Sequence, residues 1–165
     1  MQRLLFSLLF SMSCLIVLGQ DGQEAPYKKY PVYPPVKLLM ADSLSWFTKD
    51  DLPNKKPVML LLFNPKCEHC QHETEAMTAQ ISRYKGVHIV MATTAPMEDM
   101  RGFIEKYKLS NFDNISVGRD TGFFLPVYFD IHNLPFHAFY NKKLELISVF
   151  SGSMTVEKTL TELGK

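Results

Sequence analysis

Two cysteines separated by two residues, Cys67 and Cys70, are the side chains of this sequence with the clearest chemical potential. Thiols at this C-x-x-C spacing can cycle between a dithiol and a disulfide, or they can supply half of a zinc site. The sequence has no second C-x-x-C pair, and His69 and His72 are close enough to complete a set only in principle. Four ligands this close together at one helix start would fan around its axis. We therefore favour redox chemistry without a bound metal, and copper binding is the more credible metal alternative.

The residues around the pair predict that it lies where a buried strand ends and a helix begins. Residues 58–63 form an unbroken apolar run, the pattern of a strand buried on both faces, and residues 64–66 then break it. From Cys70 onward, apolar residues recur at helical spacings. At a helix N-terminus, the dipole and the free N–H groups favour a thiolate. Cys67 is therefore the candidate nucleophile.

The rest of the sequence predicts the sheet and the helices around this crossover. Apolar runs predict strands at residues 36–40, 87–92, 115–117, 136–140 and 144–150, and helical spacings predict helices after Pro96 and at residues 156–163. Asp42 or Ser43 is expected to cap a short helical piece that places Trp46 in the core. A short helix disturbed by Pro126 is expected within residues 120–129. This order predicts an α/β fold with a central mixed sheet, parallel in its first half and covered by helices on both faces.

Two stretches of the sequence resemble the thioredoxin superfamily. Residues 63–73, FNPKCEHCQHE, look like its active-site strand end and C-x-x-C motif, and residues 133–152, NLPFHAFYNKKLELISVFSG, look like its cis-proline hairpin. The branch that the sequence resembles most is that of the exported TlpA/ResA-like thiol-disulfide oxidoreductases. The resemblance covers residues 36–165 and implies a thioredoxin-like fold, a central mixed β-sheet flanked by helices on both faces.

The resemblance implies a mechanism for the two cysteines. Cys67 attacks a disulfide of a partner protein to give a mixed disulfide, and Cys70 resolves it and releases the reduced partner. Glu73 matches a glutamate of ResA-like sites that is associated with proton handling for the buried cysteine. A solvated first-turn glutamate that complements the helix dipole is the equally weighted alternative. Within the dipeptide between the cysteines, His69 favours a Cys67 thiolate and Glu68 opposes it, so both are expected to tune the redox couple.

The resemblance also predicts a substrate-binding loop and shows two departures from the family pattern. Pro135 aligns with the family's cis-proline, and a cis bond there would let Leu134 offer its backbone to an extended client segment near the nucleophile. Thioredoxin has a buried aspartate in the strand before its cysteines, whereas this sequence has Leu61. Lys66 replaces the tryptophan that is common before the first cysteine. The first departure gives Glu73 more weight as a proton acceptor.

The N-terminal region predicts an exported protein of the periplasm or cell envelope. Residues 1–19 contain Arg3, an apolar stretch and Gly19, the order of a secretory signal peptide, and residues 20–35 form a proline-rich linker before the domain at residues 36–165. An uncleaved signal or a lipidated Cys14 is the alternative and would tether the protein to a membrane. Loss of residues 1–19 leaves 17 basic residues, 18 minus Arg3, against 17 acidic ones. This neutral balance, without a basic cluster, argues against a nucleic-acid partner.

The sequence leaves the direction of the reaction open between two readings. We expect a disulfide-containing client protein, an upstream thiol electron donor and no bound cofactor, with the client reduced. An oxidant or isomerase of exported proteins is the alternative, and reduction potential separates the two, since thioredoxin lies near about −270 mV and DsbA near about −120 mV. A thioredoxin-fold module that binds copper or zinc is the non-enzymatic alternative.

Overall fold

The structure is a computed structural model that describes residues 24–164. Its centre is one seven-stranded mixed sheet with helices packed against both faces. The sequence predicts the mixed sheet, the flanking helices and six of the seven strands. The predicted signal peptide and Cys14 lie outside the described residues. No helix within residues 24–164 combines the length and the apolar character needed to cross a membrane.

The elements alternate along the chain in the way expected of an α/β fold. The strands are β1 (Leu38–Met40), β2 (Trp46–Phe47), β3 (Val58–Leu62), β4 (His88–Thr93), β5 (Ile115–Arg119), β6 (Phe136–Tyr140) and β7 (Leu146–Ser151). The α-helices are α1 (Pro26–Lys29), α2 (Glu68–Ala79), α3 (Met97–Lys106), α4 (Phe124–Phe129) and α5 (Val156–Glu162). Short 3₁₀ turns lie at Lys49–Asp51, Ile81–Tyr84 and Leu109–Asn111.

The sheet has a parallel centre and antiparallel edges. Its strand order is β2-β1-β5-β4-β3-β6-β7, with β3, β4 and β5 parallel to one another. The predicted hairpin of β6 and β7 is confirmed, and β6 also pairs antiparallel with β3. This places the strand that precedes the two cysteines directly beside the strand that follows Pro135.

Strand β3 is buried on both faces and divides the core in two. Met59 and Leu61 pack on one side with Cys70 of α2, and Leu60 packs on the other with Leu125 of α4. All five residues of β3 are buried, which explains why its sequence is apolar without alternation. We call the side that contains Cys70 the cysteine face and the other side the opposite face.

The segment after β1 differs from its prediction. Asp42 accepts hydrogen bonds from the backbone N–H groups of Leu44 and Ser45, both at 2.8 Å, and so closes a turn instead of capping a helix. The chain then returns as strand β2, antiparallel to β1. Trp46 is 48% exposed, so its predicted place in the core is wrong. On this two-residue edge strand the side chains alternate, and Phe47 is the residue that turns inward.

Helix α4 and the proline-rich segment also show local differences. Pro126 is the third residue of α4, a first-turn position whose missing N–H has no intrahelical partner to lose, so it does not disturb the helix. In the segment at residues 24–35, Pro26 begins the four-residue helix α1, and Tyr33 is buried in the opposite face. Residues 24–35 of the predicted linker therefore pack on the domain.

Candidate active site

Cys67 lies at the N-cap of helix α2, at the end of the crossover from β3. Its backbone is extended, with φ −83° and ψ 118°, and the helix continues from Glu68. The side chain is partly buried, and its Sγ atom contacts the carbonyl oxygen of Leu134 at 4.0 Å. A thiol at this position lies at the positive end of the helix dipole and contacts the loop before Pro135.

A tight turn holds Cys67 at the helix start. The carbonyl oxygen of Asn64 accepts from the Cys67 N–H at 3.0 Å, and the Asn64 side-chain oxygen accepts from the Lys66 N–H at 2.9 Å. One turn into the helix, the amide of Gln71 donates to the Pro65 carbonyl at 2.7 Å. The break in the apolar pattern at residues 64–66 is thus a hydrogen-bonded turn that fixes where the helix begins.

Cys70 is the buried partner of the pair, with only 2% of its surface exposed. Burial raises the pKa of the Cys70 thiol to about 12, and the nearby Cys67 and the charge of Glu73 act in the same direction. The backbone N–H of Asn64 opposes them. At neutral pH Cys70 is therefore a thiol, which has to lose its proton before it can act as a nucleophile.

Glu73 is buried one helical turn after Cys70, so the alternative of a solvated first-turn glutamate is wrong. Its Oε1 atom is hydrogen-bonded to Nε2 of His137 at 2.5 Å. Its Oε2 atom accepts from the backbone N–H of Met154 at 3.0 Å. Both carboxylate oxygens are thus partnered, as a buried acidic group requires.

His137 is the residue of this site that sequence reasoning missed. It is the second residue of β6, it is fully buried, and it pairs in register with Leu61 of β3. Leu61 is the position at which the resemblance places the buried aspartate of thioredoxin. A titratable side chain therefore does lie next to that position, but it comes from the neighbouring strand. The available signal was a histidine two residues after Pro135, in an otherwise apolar run.

His88 shows why such a signal is weak. It too lies in an apolar run, where a lone histidine is usually a core residue with its polar atoms hydrogen-bonded. His88 is buried, its Nε2 atom lies 3.0 Å from the Ser116 hydroxyl, and its ring stacks on Phe47. Burial lowers the pKa of His88, with a smaller contribution from Lys56. Two histidines with the same sequence signature therefore have different surroundings.

The predicted client-binding residues, Leu134 and Pro135, lie beside Cys67. The peptide bond between Leu134 and Pro135 is cis, and Pro135 is buried where its carbonyl accepts from the Gly152 N–H at 2.8 Å. A groove of about 270 Å³ opens beside Leu134, with Phe123 on its wall. The structure thus brings the loop and Cys67 together, and client binding by the loop stays a prediction.

Both residues between the cysteines, Glu68 and His69, are exposed on the first turn of α2. Their predicted tuning of the couple stays a prediction. His72 is exposed as well. Within residues 24–164, no three side chains of His, Cys, Asp and Glu come together in a group that could hold a metal ion. The metal-binding alternative therefore lacks an assembled ligand set in the part of the chain that the structure describes.

Comparisons with known proteins agree with this geometry at the level of the fold. No protein-family model and no curated protein matches the sequence. Among solved structures, DsbF from MTB is similar with a TM-score of 0.67 and 21% identity over 79% of this chain and 93% of that one. A secreted Mycobacterium tuberculosis disulfide oxidoreductase homologous to E. coli DsbE gives 0.65 and 18%, over 79% and 95%. A thioredoxin-like protein from Aeropyrum pernix gives 0.61 and 12%, over 82% and 89%. The chain therefore has the thioredoxin-like fold.

Proposed function

We propose that this protein is an exported thiol-disulfide oxidoreductase that exchanges disulfides with partner proteins through Cys67 and Cys70. One observation carries the proposal. A partly exposed thiol at a helix N-terminus lies near a buried thiol and faces the backbone carbonyl before a cis-proline. The accessible thiol suits attack on a partner, and the buried one suits an intramolecular second step.

In the first step the Cys67 thiolate attacks one sulfur of a client disulfide. A bond forms between Cys67 and that sulfur, the client's own S–S bond breaks, and the second client sulfur leaves as a thiolate. The first-turn N–H groups of α2 stabilise negative charge at the Cys67 position. Glu68 and His69 modulate this stabilisation, since both lie exposed on the same turn.

In the second step Cys70 resolves the mixed disulfide. The Cys70 proton passes to the Glu73 carboxylate, and the resulting thiolate attacks the sulfur of Cys67. The bond between Cys67 and the client breaks, and the client sulfur leaves as a thiolate. Two electrons have then moved from the protein to the client, and the protein holds a disulfide that an upstream thiol donor reduces.

The surface beside Cys67 supports a protein client. Leu134 and Pro135 present backbone to an extended segment, and the groove of about 270 Å³ next to Leu134 accommodates a client side chain. Phe123, on the wall of that groove, is 55% exposed. Exposed aromatic surface next to a reactive group is typical of protein interaction sites.

The reducing direction is compatible with the state of Cys70, and the reduction potential of the Cys67–Cys70 couple tests it. A couple becomes strongly oxidising when its reduced form is stabilised, as a low-pKa thiolate does. Burial raises the pKa of Cys70 to about 12, so this thiol adds no such stabilisation at neutral pH. The proposed reaction needs no bound cofactor, because both electrons come from the two thiols.

A Cys70→Ser variant tests the proposal. Without the resolving thiol, the mixed disulfide should persist on Cys67, and mass spectrometry of the trapped species, released by dithiothreitol, should identify the client. The double variant Cys67→Ser, Cys70→Ser is the matched control and should trap nothing. If no disulfide-linked partner is recovered and Cys67 resists alkylation near neutral pH, the proposal fails.

A further inference from the structure

A buried acid–histidine pair lies behind the resolving cysteine on the cysteine face. Glu73 is 8% exposed and His137 is 0% exposed, and 2.5 Å separates Oε1 of Glu73 from Nε2 of His137. The ring of His137 stacks parallel to Phe139, with 6.0 Å between the centroids. The pair is held by α2 and β6 together, so it has little freedom to rearrange while the site turns over.

The unpartnered nitrogen of His137 indicates which of its two ring nitrogens carries the proton. Nδ1 of His137 is buried and has no hydrogen-bond partner among the described residues. A proton on Nδ1 would be a buried donor without an acceptor, which proteins tolerate less well than an unused acceptor. The proton therefore belongs on Nε2, and His137 is a neutral donor to the Glu73 carboxylate.

We infer that His137 is a positioning residue for the resolving step. Its Nε2–H fixes the orientation of the Glu73 carboxylate, which takes the proton from Cys70. This inference rests on the proposed function. Burial alone disfavours a charged carboxylate, and two donors offset it here, His137 on one oxygen and the Met154 N–H on the other. Loss of His137 would remove the side-chain donor of the two.

The surroundings of the pair contain other groups that respond to the carboxylate. Cys70 and Tyr84 both feel its charge, which contributes to raising the pKa of each. Cys67 is the other thiol near Cys70, and the Tyr84 hydroxyl is hydrogen-bonded to Thr159 of α5. From β7, Phe150 approaches the His137 ring with 6.3 Å between centroids and carries no charge. Of these groups, Cys70 is the one that the resolving step has to deprotonate, and Glu73 follows it by one turn on the buried side of α2.

The resolving step balances with these groups. The Cys70 S–H bond breaks, its proton moves to Glu73, and the Cys70 sulfur forms a bond to Cys67. The bond between Cys67 and the client sulfur breaks, and that sulfur leaves with the electron pair. His137 keeps its proton throughout and donates to the carboxyl group before and after the transfer.

Stopped-flow reaction with equimolar 5,5′-dithiobis(2-nitrobenzoate) tests this role, because it separates the two steps. Attack by Cys67 releases a first thionitrobenzoate, and attack by Cys70 on the mixed disulfide releases a second. In His137→Leu we expect an unchanged first release and a second release slowed about tenfold or more at pH 7, since proton transfer to a positioned group contributes about 100-fold or more. The slowing should shrink as pH rises toward the pKa of Cys70.

His137→Gln is the conservative variant, because its amide places a donor near the position of Nε2. We expect its second release to stay within about threefold of the parent, as one neutral donor replaces another. Tyr140→Phe, on the same strand but on the opposite face, is the matched control and should change neither release. If His137→Leu does not fold, His137→Asn, whose amide is one methylene too short, replaces it and should be slow.

The outcomes separate the two claims. Loss of the first release in the parent protein contradicts the proposed function. A normal first release with a second release that is unchanged in folded His137→Leu, at every pH, overturns the role of His137. Equal slowing in the Leu and Gln variants also overturns it, because side-chain packing, not the donor, would then be responsible.

Discussion

The two faces of strand β6 contain different kinds of buried polar group. On the cysteine face, His137 is hydrogen-bonded to Glu73, and both oxygens of the carboxylate have donors. On the opposite face, Tyr140 packs edge-on against Tyr33, with 5.1 Å between ring centroids. The hydroxyl groups of both tyrosines are buried and have no hydrogen-bond partner among the described residues.

The two kinds of buried group differ in how much an absent hydrogen-bond partner costs. A buried charge is stable only when it has hydrogen-bond partners, and the carboxylate of Glu73 has two, His137 and the Met154 N–H. The tyrosines stay neutral, since burial raises the pKa of both Tyr33 and Tyr140 above the usual 10.0. A neutral hydroxyl without a partner is a smaller penalty, which the aromatic packing offsets. The cysteine face supplies hydrogen-bond donors to a buried carboxylate, and the opposite face is filled by aromatic rings.

Among the substitutions that test this comparison of the two faces, removal of the Glu73 carboxylate should cost the most stability. In Glu73→Ala, the His137 Nε2–H and the Met154 N–H both lose their acceptor, so we expect the free energy of unfolding to fall by about 3 kcal/mol. Urea denaturation followed by circular dichroism measures it. In a double-mutant cycle, Glu73→Ala and His137→Leu should be clearly less than additive. Additive losses would mean that the two side chains are not coupled.

Three Tyr→Phe substitutions, which each remove one hydroxyl, should have smaller effects on the free energy of unfolding and should differ between the two faces. Tyr84, on the cysteine face, is hydrogen-bonded through its hydroxyl to Thr159, so Tyr84→Phe should lower the free energy of unfolding by about 1 kcal/mol. Tyr33→Phe and Tyr140→Phe remove hydroxyls without a partner and should be neutral or slightly stabilising. Thermal and urea unfolding at neutral pH measure all three. A loss in Tyr33→Phe as large as that in Tyr84→Phe would contradict the distinction between the faces.

The parts of the fold that could be predicted are those with a strong local pattern. The buried β3, the start of α2 after Cys67 and the hairpin of β6 and β7 follow from an apolar run, a break and a turn. Trp46 was placed wrongly because a two-residue edge strand is too short to show its alternation. Its exposure depends on the pairing of β2 with β1, which no local pattern reveals.

The candidate site was predictable only in its sequence-local half. Cys67, Cys70 and Glu73 lie on one helix, so their spacing already predicts that they are neighbours. His137 comes from a strand more than sixty residues away, and its contact with Glu73 depends on the register of β6 against β3. A shift of one residue would turn His137 to the opposite face. Tertiary pairing, and no feature of the apolar run itself, makes this histidine part of the site.

The smallest predicted effect is a loss of stability at alkaline pH, caused by the buried, neutral tyrosines of the opposite face. Burial raises the pKa of Tyr33 and Tyr140 above 10.0, so near pH 10 the unfolded chain loses these protons while the folded protein keeps them. The unfolded state then binds fewer protons, and stability falls as pH rises. At pH 10 this loss amounts to about 0.4 kcal/mol per tyrosine, half-ionised in the unfolded chain.

The Tyr33→Phe, Tyr140→Phe double variant should therefore lose about 0.8 kcal/mol less stability than the parent between pH 8 and pH 10, in urea titrations at both values. Tyr30→Phe is the control, because that side chain is 56% exposed and meets water in both states. Its loss should equal that of the parent. Equal losses in the double variant and the parent would contradict this expectation. They would mean that Tyr33 and Tyr140 ionise as readily in the folded protein as in the unfolded chain.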